Sequence, residues 1–242
     1  MSHPSLPAHP VTIITGAGSG IGRATAVKLA TLGHRLVLVG RTASKLDATA
    51  EQCTAARSGC EVLHLAGDLA DSGFAHGVVD RTIEAFGELD VLVNCAGVAP
   101  HAPIERTTEE VLEEAFLQNT FGAAFLITRA WPHFKERRTG CIVNVSTLGS
   151  TDPFQGFFAY AASKAAIDSF TRSAHVEGHR MGIRAFCVNP GSIETPLLRK
   201  NFSERVVPTH ATLPPEAVAD VIVDCIAGNR EADRGKTIVV KK

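Results

Sequence analysis

Seven apolar runs of strand length alternate along this chain with segments of helical periodicity, and that alternation limits the available folds more than any other feature. The runs are Val11 to Thr15, Arg35 to Val39, Glu61 to Leu65, Leu89 to Asn94, Cys141 to Ser146, Ile183 to Asn189 and Thr237 to Val240. Strands that regularly alternate with helices lie parallel, because each crossover helix returns the chain to the same end of the sheet. The expected class is therefore α/β, doubly wound, with a parallel sheet covered by helices on both faces. Sheets of this kind bind ligands beyond the carboxyl ends of the strands, where the strand order reverses.

The helices carry recognisable ends. Gly33 closes the first after Ala24, Val27, Lys28 and Leu32, and Gly87 closes the third after Ile83 and Phe86. Thr107-Thr108-Glu109-Glu110 has the pattern of a capping box, opening a helix whose buried side is Val111, Leu112, Ala115 and Phe116. A chain of 242 residues needs one domain only. We expect it at residues 11–242, after a flexible leader at residues 1–10 that holds Pro4, Pro7 and Pro10.

A net charge of -1 gives no field for nucleic acid, and the cationic end, Arg234, Lys236, Lys241 and Lys242, has the character of a solvated tail. The six cysteines are scattered, without metal-ligand spacing, and most fall in apolar runs. Reduced core thiols in a reducing compartment are the expectation, with no metal. The opening residues lack the apolar stretch of a secretory signal, and no run approaches the ~20 residues of a membrane span. A cytoplasmic protein with no membrane partner follows.

Directly after the first strand comes Thr15-Gly16-Ala17-Gly18-Ser19-Gly20-Ile21-Gly22, leading into a helix. Glycines serve where a chain turns tightly and where backbone N–H groups must approach a pyrophosphate at a helix's positive end. The generic Gly-x-Gly-x-x-Gly fingerprint would need a glycine at Ile21; the spacing is instead Thr-Gly-x-x-x-Gly-x-Gly. Further on, Tyr160 and Lys164 stand four apart at the head of a long helical segment and share one face. A positive charge beside a phenol favours phenolate and lowers its pKa, so the pair can exchange protons with an alcohol or carbonyl.

Five motifs in order make the chain resemble the classical short-chain dehydrogenases/reductases over roughly Val11 to Val240. Besides the glycine turn and Tyr160-x-x-x-Lys164, there is Asn94-Cys95-Ala96-Gly97, which is similar to the family's Asn-Asn-Ala-Gly. The others are Asn119 within Gln118-Asn119-Thr120-Phe121-Gly122, and Pro190-Gly191-Ser192-Ile193-Glu194-Thr195. The resemblance implies a single Rossmann-type domain with seven parallel strands and NAD(P)-dependent hydride transfer. It implies Tyr160 as acid/base, Lys164 as the group that lowers its pKa and holds the nicotinamide ribose, and Asn119 as support for a water-linked proton path. Cofactor contacts are implied at Gly16, Gly18, Ser19, Gly20, Ile21 and Gly22 in the turn. Beyond it they are implied at Asn94, Ala96 and Gly97, and at Pro190, Gly191, Ile193 and Thr195, the last two near the carboxamide. Asp68, with Leu69, resembles the family's adenine contact; a cap on the following turn is an equal reading.

NAD-specific sites place a carboxylate at the end of the second strand, about 20 residues past the glycines. Here that place is Gly40, followed by Arg41. A missing carboxylate removes repulsion toward a 2'-phosphate and a guanidinium can clamp one, so NADP(H) is favoured and NAD(H) is the alternative. The family's substrate-orienting serine falls at Thr147, whose hydroxyl can still donate; Ser146 is the adjacent candidate.

The substrate loop is expected at about 193–213. Leu148, Phe154, Phe157 and Phe158 before it, and Pro196, Leu197, Leu198, Phe202, Val206 and Val207 within it, suit a hydrophobic ketone or secondary alcohol, or else pack the loop. His101 is read as structural, and His175 and His179 as surface or interfacial. The family's helices bearing Asn119 and Tyr160 commonly pair with copies of themselves, which implies a homodimer or homotetramer. Ala123, Ala124, Ala161, Ala162, Ala165 and Ala166 are small enough for such packing. A nucleotide-binding sensor with lapsed catalysis is the alternative to an oxidoreductase.

Overall fold

The computed structural model describes residues 6–242. Strand and helix alternate as β1 (Val11–Thr15), α1 (Gly20–Thr31), β2 (Arg35–Gly40), α2 (Ala43–Ala56), β3 (Val62–Ala66), α3 (Ser72–Phe86) and β4 (Val91–Asn94). They continue with α4 (Glu109–Phe116), α5 (Gly122–Arg137), β5 (Gly140–Val145), α6 (Phe158–Gly178), β6 (Ile183–Pro190), α7 (Pro196–Asn201), α8 (Pro215–Ala227) and β7 (Thr237–Val240). The seven strands form one sheet in the order β3-β2-β1-β4-β5-β6-β7, and every pairing is parallel. Strand order reverses between β1 and β4. That is the crevice where this architecture binds ligands.

Strand alternation distributes the core over both faces. Ile14, Leu38, Val93, Val143 and Phe186 face one way, against Leu29 of α1 and Ile222 of α8. Ile13, Val39, Leu92 and Ile142 face the other way, against Val78 and Val79 of α3 and Leu126 and Phe134 of α5. Each fully buried side chain of this size contributes roughly 1.5–3 kcal/mol, so either layer outweighs the net stability of a typical domain.

Helix ends largely follow the sequence signals. Gly87 ends α3 in the left-handed region (φ 76°), and the Asp71 carboxylate caps its start, accepting from the Gly73 and Phe74 N–H groups. The expected capping box from Thr107 to Glu110 is not formed. The Thr107 hydroxyl is taken by the Pro103 carbonyl at 3.0 Å, so Thr108 is the cap and accepts from Val111 N–H at 3.5 Å. Val111 has no side-chain acceptor to return the bond.

Of the expected leader, residues 1–5 lie outside the described residues, and residues 6–10 are anchored. Leu6 packs against the core, His9 Nδ1 contacts the Gly33 carbonyl at 3.2 Å, and Arg35 N–H donates to the Pro10 carbonyl at 2.9 Å. The cationic end is also bound to the fold: Arg234 pairs with Glu231 at 3.2 Å, and the Lys242 ammonium donates to the His210 carbonyl. Among the described residues no helix is long and apolar enough to cross a membrane, and no His, Cys, Asp and Glu cluster could hold a metal. All six cysteines are free thiols.

Candidate active site

Thr15, at the end of β1, joins the two strands that border the crevice: its hydroxyl accepts from the Cys95 and Ala96 N–H groups at 3.0 and 2.9 Å. The turn that follows leaves no space for side chains. A methyl group on Gly16 (φ 66°) would stand 3.0 Å from the Ala96 backbone, and one on Gly22 only 2.4 Å from the Gly16 carbonyl oxygen. Ser19 precedes α1 in extended conformation without a side-chain bond to the helix. The first-turn N–H groups of α1 thus keep their capacity for an anion.

At one end of the crevice a hollow of about 190 Å³ is bordered by Gly16, Gly18 and Ser19, by Gly40, Arg41, Thr42 and Lys45, and by Leu69, Ala96 and Gly97. Arg41 and Lys45 are exposed. Lys45 escaped the sequence reading, although its position offered a signal: it lies in the first turn of α2, four residues past Arg41. Asp68 does not border the hollow. Its carboxylate accepts from Ala70 N–H at 2.9 Å and from Gln118 Nε2 at 2.8 Å, a local turn tied to the next element.

The other end is a cavity of about 430 Å³ bordered by Tyr160 and Lys164, with Ser146 and Thr147 after β5, Pro190 at the end of β6, and Gly191, Ile193 and Thr195 beyond it. Ile21, Cys95 and Gly97 reach it from the turn and from β4. Lys164 is 5% exposed, and its Nζ donates to the Val145 carbonyl at 2.8 Å. Burial lowers the Lys164 pKa, with the Cys95, Cys187 and Asp168 side chains opposing. Burial also raises the Tyr160 pKa, against a hydrogen bond from Thr147 and with Cys95 adding to the rise. Lys164, expected to lower the phenol, is not among the causes of the shift, and burial favours the protonated form.

The two candidate hydroxyls point to different partners. Ser146 Oγ donates to the Lys164 carbonyl at 3.1 Å, whereas Thr147, which borders the cavity with Tyr160, accepts from Gly149 N–H at 3.2 Å. Asn119 lies in a π-helical turn, Leu117–Phe121, between α4 and α5. Its Oδ1 accepts from Val98 N–H at 2.7 Å, and its Nδ2 donates to the Val98 carbonyl and the Ser163 hydroxyl, each at 2.9 Å. A pocket of about 10 Å³, close to the space one water needs, is bordered by Asn94, Asn119 and Lys164. The Asn94 Oδ1 atom is buried there without a partner, while its Nδ2 donates to Asn144 at 2.8 Å. The Cys95 thiol, pushed up to about 11 by burial against the pull of Lys164, stays protonated.

A family model described as short chain dehydrogenase matches residues 10–206. The chain belongs to the short-chain dehydrogenase family. It is 32% identical to the levodione reductase of Leifsonia aquatica over 195 residues, 80% of this chain and 73% of that one. An NADPH-bound actinorhodin polyketide ketoreductase superposes with a TM-score of 0.90 at 26% identity, covering 98% of each chain. A 3-ketoacyl-(acyl-carrier-protein) reductase from Brucella melitensis, complexed with NADH, superposes with a TM-score of 0.87 at 26% identity and 96% of each. As a member of this family the chain is an NAD(P)-dependent oxidoreductase acting on CH–OH and carbonyl groups.

In this short-chain dehydrogenase the outer wall of the cavity is apolar and aromatic. Phe154, Phe157, Leu197, Leu198, Phe202 and Val207 border it, and Phe157 meets the rings of Tyr160 and Phe202 at 5.9 and 5.6 Å. Leu148, Phe158, Pro196 and Val206 do not, nor does His101, which packs on Phe157. Gln155 and Asn201, both missed from sequence, supply polar groups. His175 and His179 contact each other at the far end of α6.

The loop over the cavity is stapled. Arg199 grips the Glu194 carboxylate with two nitrogens and donates to the Val207 carbonyl at 2.7 Å, while Thr212 donates to Glu194 at 3.1 Å. Asn201 Nδ2 reaches across to the Ala99 carbonyl at 3.0 Å.

Proposed function

We propose that this chain is an NADP(H)-dependent reductase of uncharged, hydrophobic ketones, able to oxidise the corresponding secondary alcohols, with Tyr160 as the acid/base. The observation that carries the reading is the pair of hydroxyl side chains at the cavity wall: Thr147 and Tyr160 both border it, the latter one helical turn from buried Lys164. A phenol kept protonated is the acid a carbonyl oxygen requires as it gains negative charge, and Thr147 supplies a second donor to the same oxygen. Ser146, committed to the Lys164 carbonyl, is a support for α6. These intact groups favour an enzyme over a lapsed sensor.

The residues fit a nicotinamide dinucleotide. The glycine-rich turn and the N–H groups opening α1 would hold the pyrophosphate, and Lys164 has two ammonium protons beyond its Val145 bond for ribose hydroxyls. When bound, the cofactor supplies or accepts the hydride. Gly97 keeps the crevice open, since a methyl group there would stand 2.7 Å from Asn119 Oδ1. Ile193 and Thr195 border the carboxamide end. Arg41 and Lys45 together would clamp a 2'-phosphate, and with no carboxylate at Gly40 nothing repels it. The small pocket between Asn94, Asn119 and Lys164 would seat the water of a proton path to Lys164.

Substrate class follows from the cavity wall. Arg199 of the loop is neutralised by Glu194, and the outer wall is aliphatic or aromatic apart from the amides of Gln155 and Asn201. A charged ketone would lose its hydration against that wall, whose lining carries no charged side chain. Phe121 on the Asn119 turn and Phe158 and Phe170 on α6 stay exposed in the monomer, and we infer self-association through this face into a dimer or tetramer. A panel of acetophenone, 1-tetralone and cyclohexanone against pyruvate and acetoacetate, with NADPH and NADH, tests the reading through the absorbance of the reduced cofactor. Turnover of neutral ketones with NADPH is expected; preference for the carboxylates or for NADH overturns it.

A further inference from the structure

Two carboxylates are buried among the described residues. Asp90 is paired with Arg137 at 2.9 Å. Asp168, 5% exposed on α6, has no cation at ion-pair distance, and the proposed reaction assigns it no role. An acid in this position loses much of its hydration, so its hydrogen bonds must compensate.

Those bonds lead to the segment that carries Thr147. Ser150 Oγ donates to Asp168 Oδ2 at 2.6 Å, Cys187 Sγ lies 3.1 Å from Oδ1, and Asn189 Nδ2 lies 3.3 Å from both oxygens. Asn189 Nδ2 also donates to the Thr147 carbonyl at 3.0 Å and to Ser150 Oγ at 2.9 Å. A hydroxyl has one proton, and a short bond to a carboxylate is the stronger use of it. With Ser150 committed to Asp168, the two Asn189 protons go to Ser150 and to the Thr147 carbonyl. The carboxylate thereby fixes the backbone beneath the hydroxyl that borders the cavity with Tyr160.

Asp168 also stands one helical turn beyond Lys164, on the face that holds Tyr160. The titratable groups around Lys164 are Tyr160 and Asp168 on α6, Cys95 after β4 and Cys187 on β6. Burial raises both thiols and the phenol, and the Asp168 carboxylate opposes the lowering of Lys164.

We propose that Asp168 is a positioning residue of the reaction centre: through Ser150 and Asn189 it fixes the chain beneath Thr147, and it sets its carboxylate one helical turn from Lys164. The proposal rests on the reading of Tyr160 as the acid/base. Removing a fixed anion disfavours proton binding at every neighbour, so the first proton lost from the coupled Tyr160–Lys164 pair leaves at lower pH.

The test uses the full chain, NADPH and the neutral ketone of the panel that is turned over fastest. Asp168→Asn keeps the shape and removes the charge; kcat should fall about 10-fold, and the alkaline limb of its pH profile should move down by about half a unit or more. Ser150→Ala cuts the bridge and keeps the charge; kcat should fall about 5-fold with the limb in place and NADPH affinity unaltered. Wild-type kcat in Ser150→Ala overturns the proposal, and decides it alone if Asp168→Asn does not fold. An unmoved limb in folded Asp168→Asn also overturns it. Tyr160→Phe separates the two levels: if it retains turnover the acid/base reading fails, whereas its loss beside unaffected Asp168 and Ser150 variants removes only the role of Asp168.

Discussion

The two ends of the crevice are built in opposite ways. At the catalytic end Lys164 is buried and already bonded, Thr147 is held on both sides, and the loop above is pinned by Arg199 and Glu194. At the adenosine end Arg41 and Lys45 are exposed on a rim, with space before them. Geometry at the first end exists before any ligand arrives, as a reaction centre requires. On the proposed NADP(H) reading the second end needs only charge, since a phosphate can order two exposed cations as it binds.

The largest effect that would break this contrast belongs to Tyr160→Phe, for which kcat should fall by about 10³-fold while NADPH affinity changes less than about 3-fold. Stopped-flow and fluorescence titration measure the two; parallel losses would mean that the ends are not separable. Next is the double variant Arg41→Ala with Lys45→Ala, which should weaken NADPH by roughly 100-fold and NADH by less than about 3-fold, each charge-assisted bond contributing about 1.5–3 kcal/mol. Equal weakening of both cofactors in titration calorimetry would remove the clamp.

A smaller effect sharpens the catalytic end. Thr147→Ala should lower kcat/KM by about 10-fold or more, Thr147→Ser should keep it within about 3-fold, and Ser146→Ala should cost about 1 kcal/mol in denaturant unfolding with little change in KM. The mildest intervention is a titration. Tyr160 is the chain's one tyrosine, so tyrosinate absorbance reports it alone. Burial raises its pKa above the ordinary 10.0, and the band of the free protein should therefore emerge only above pH 10. Emergence below that value would restore the lysine-driven lowering.

Legibility followed burial and local spacing. The strands from Val11 to Thr15 and Thr237 to Val240 match to the residue, because apolar runs bounded by breakers leave little choice. The meeting of Tyr160 and Lys164 was legible because helical pitch alone places them together. Lys45 was only partly legible: its spacing from Arg41 was a signal, but its approach to Gly18 depends on a helix that folds back on the glycine turn, a contact between distant parts of the chain. The balance at Tyr160 was not legible: spacing reveals a neighbouring charge but not the desolvation that outweighs it. Asp168 was invisible for the same reason, as Ser150 and Asn189 reach it only in three dimensions.

The π-helical turn at Asn119 means that the rod from Glu109 to Arg137 holds one residue more than regular pitch would accommodate. Excising a single residue between Leu117 and Phe121 would relax that rod into an uninterrupted spiral with its flanking turns in place, and would draw the widened turn that carries Asn119 back to regular pitch. The amide would then leave Val98 while the apolar seam of α5 stayed on the sheet. The irregularity is thus the joint that lets one helix serve two registers, one set by packing and the other by the bonds of Asn119 to Val98 and Ser163.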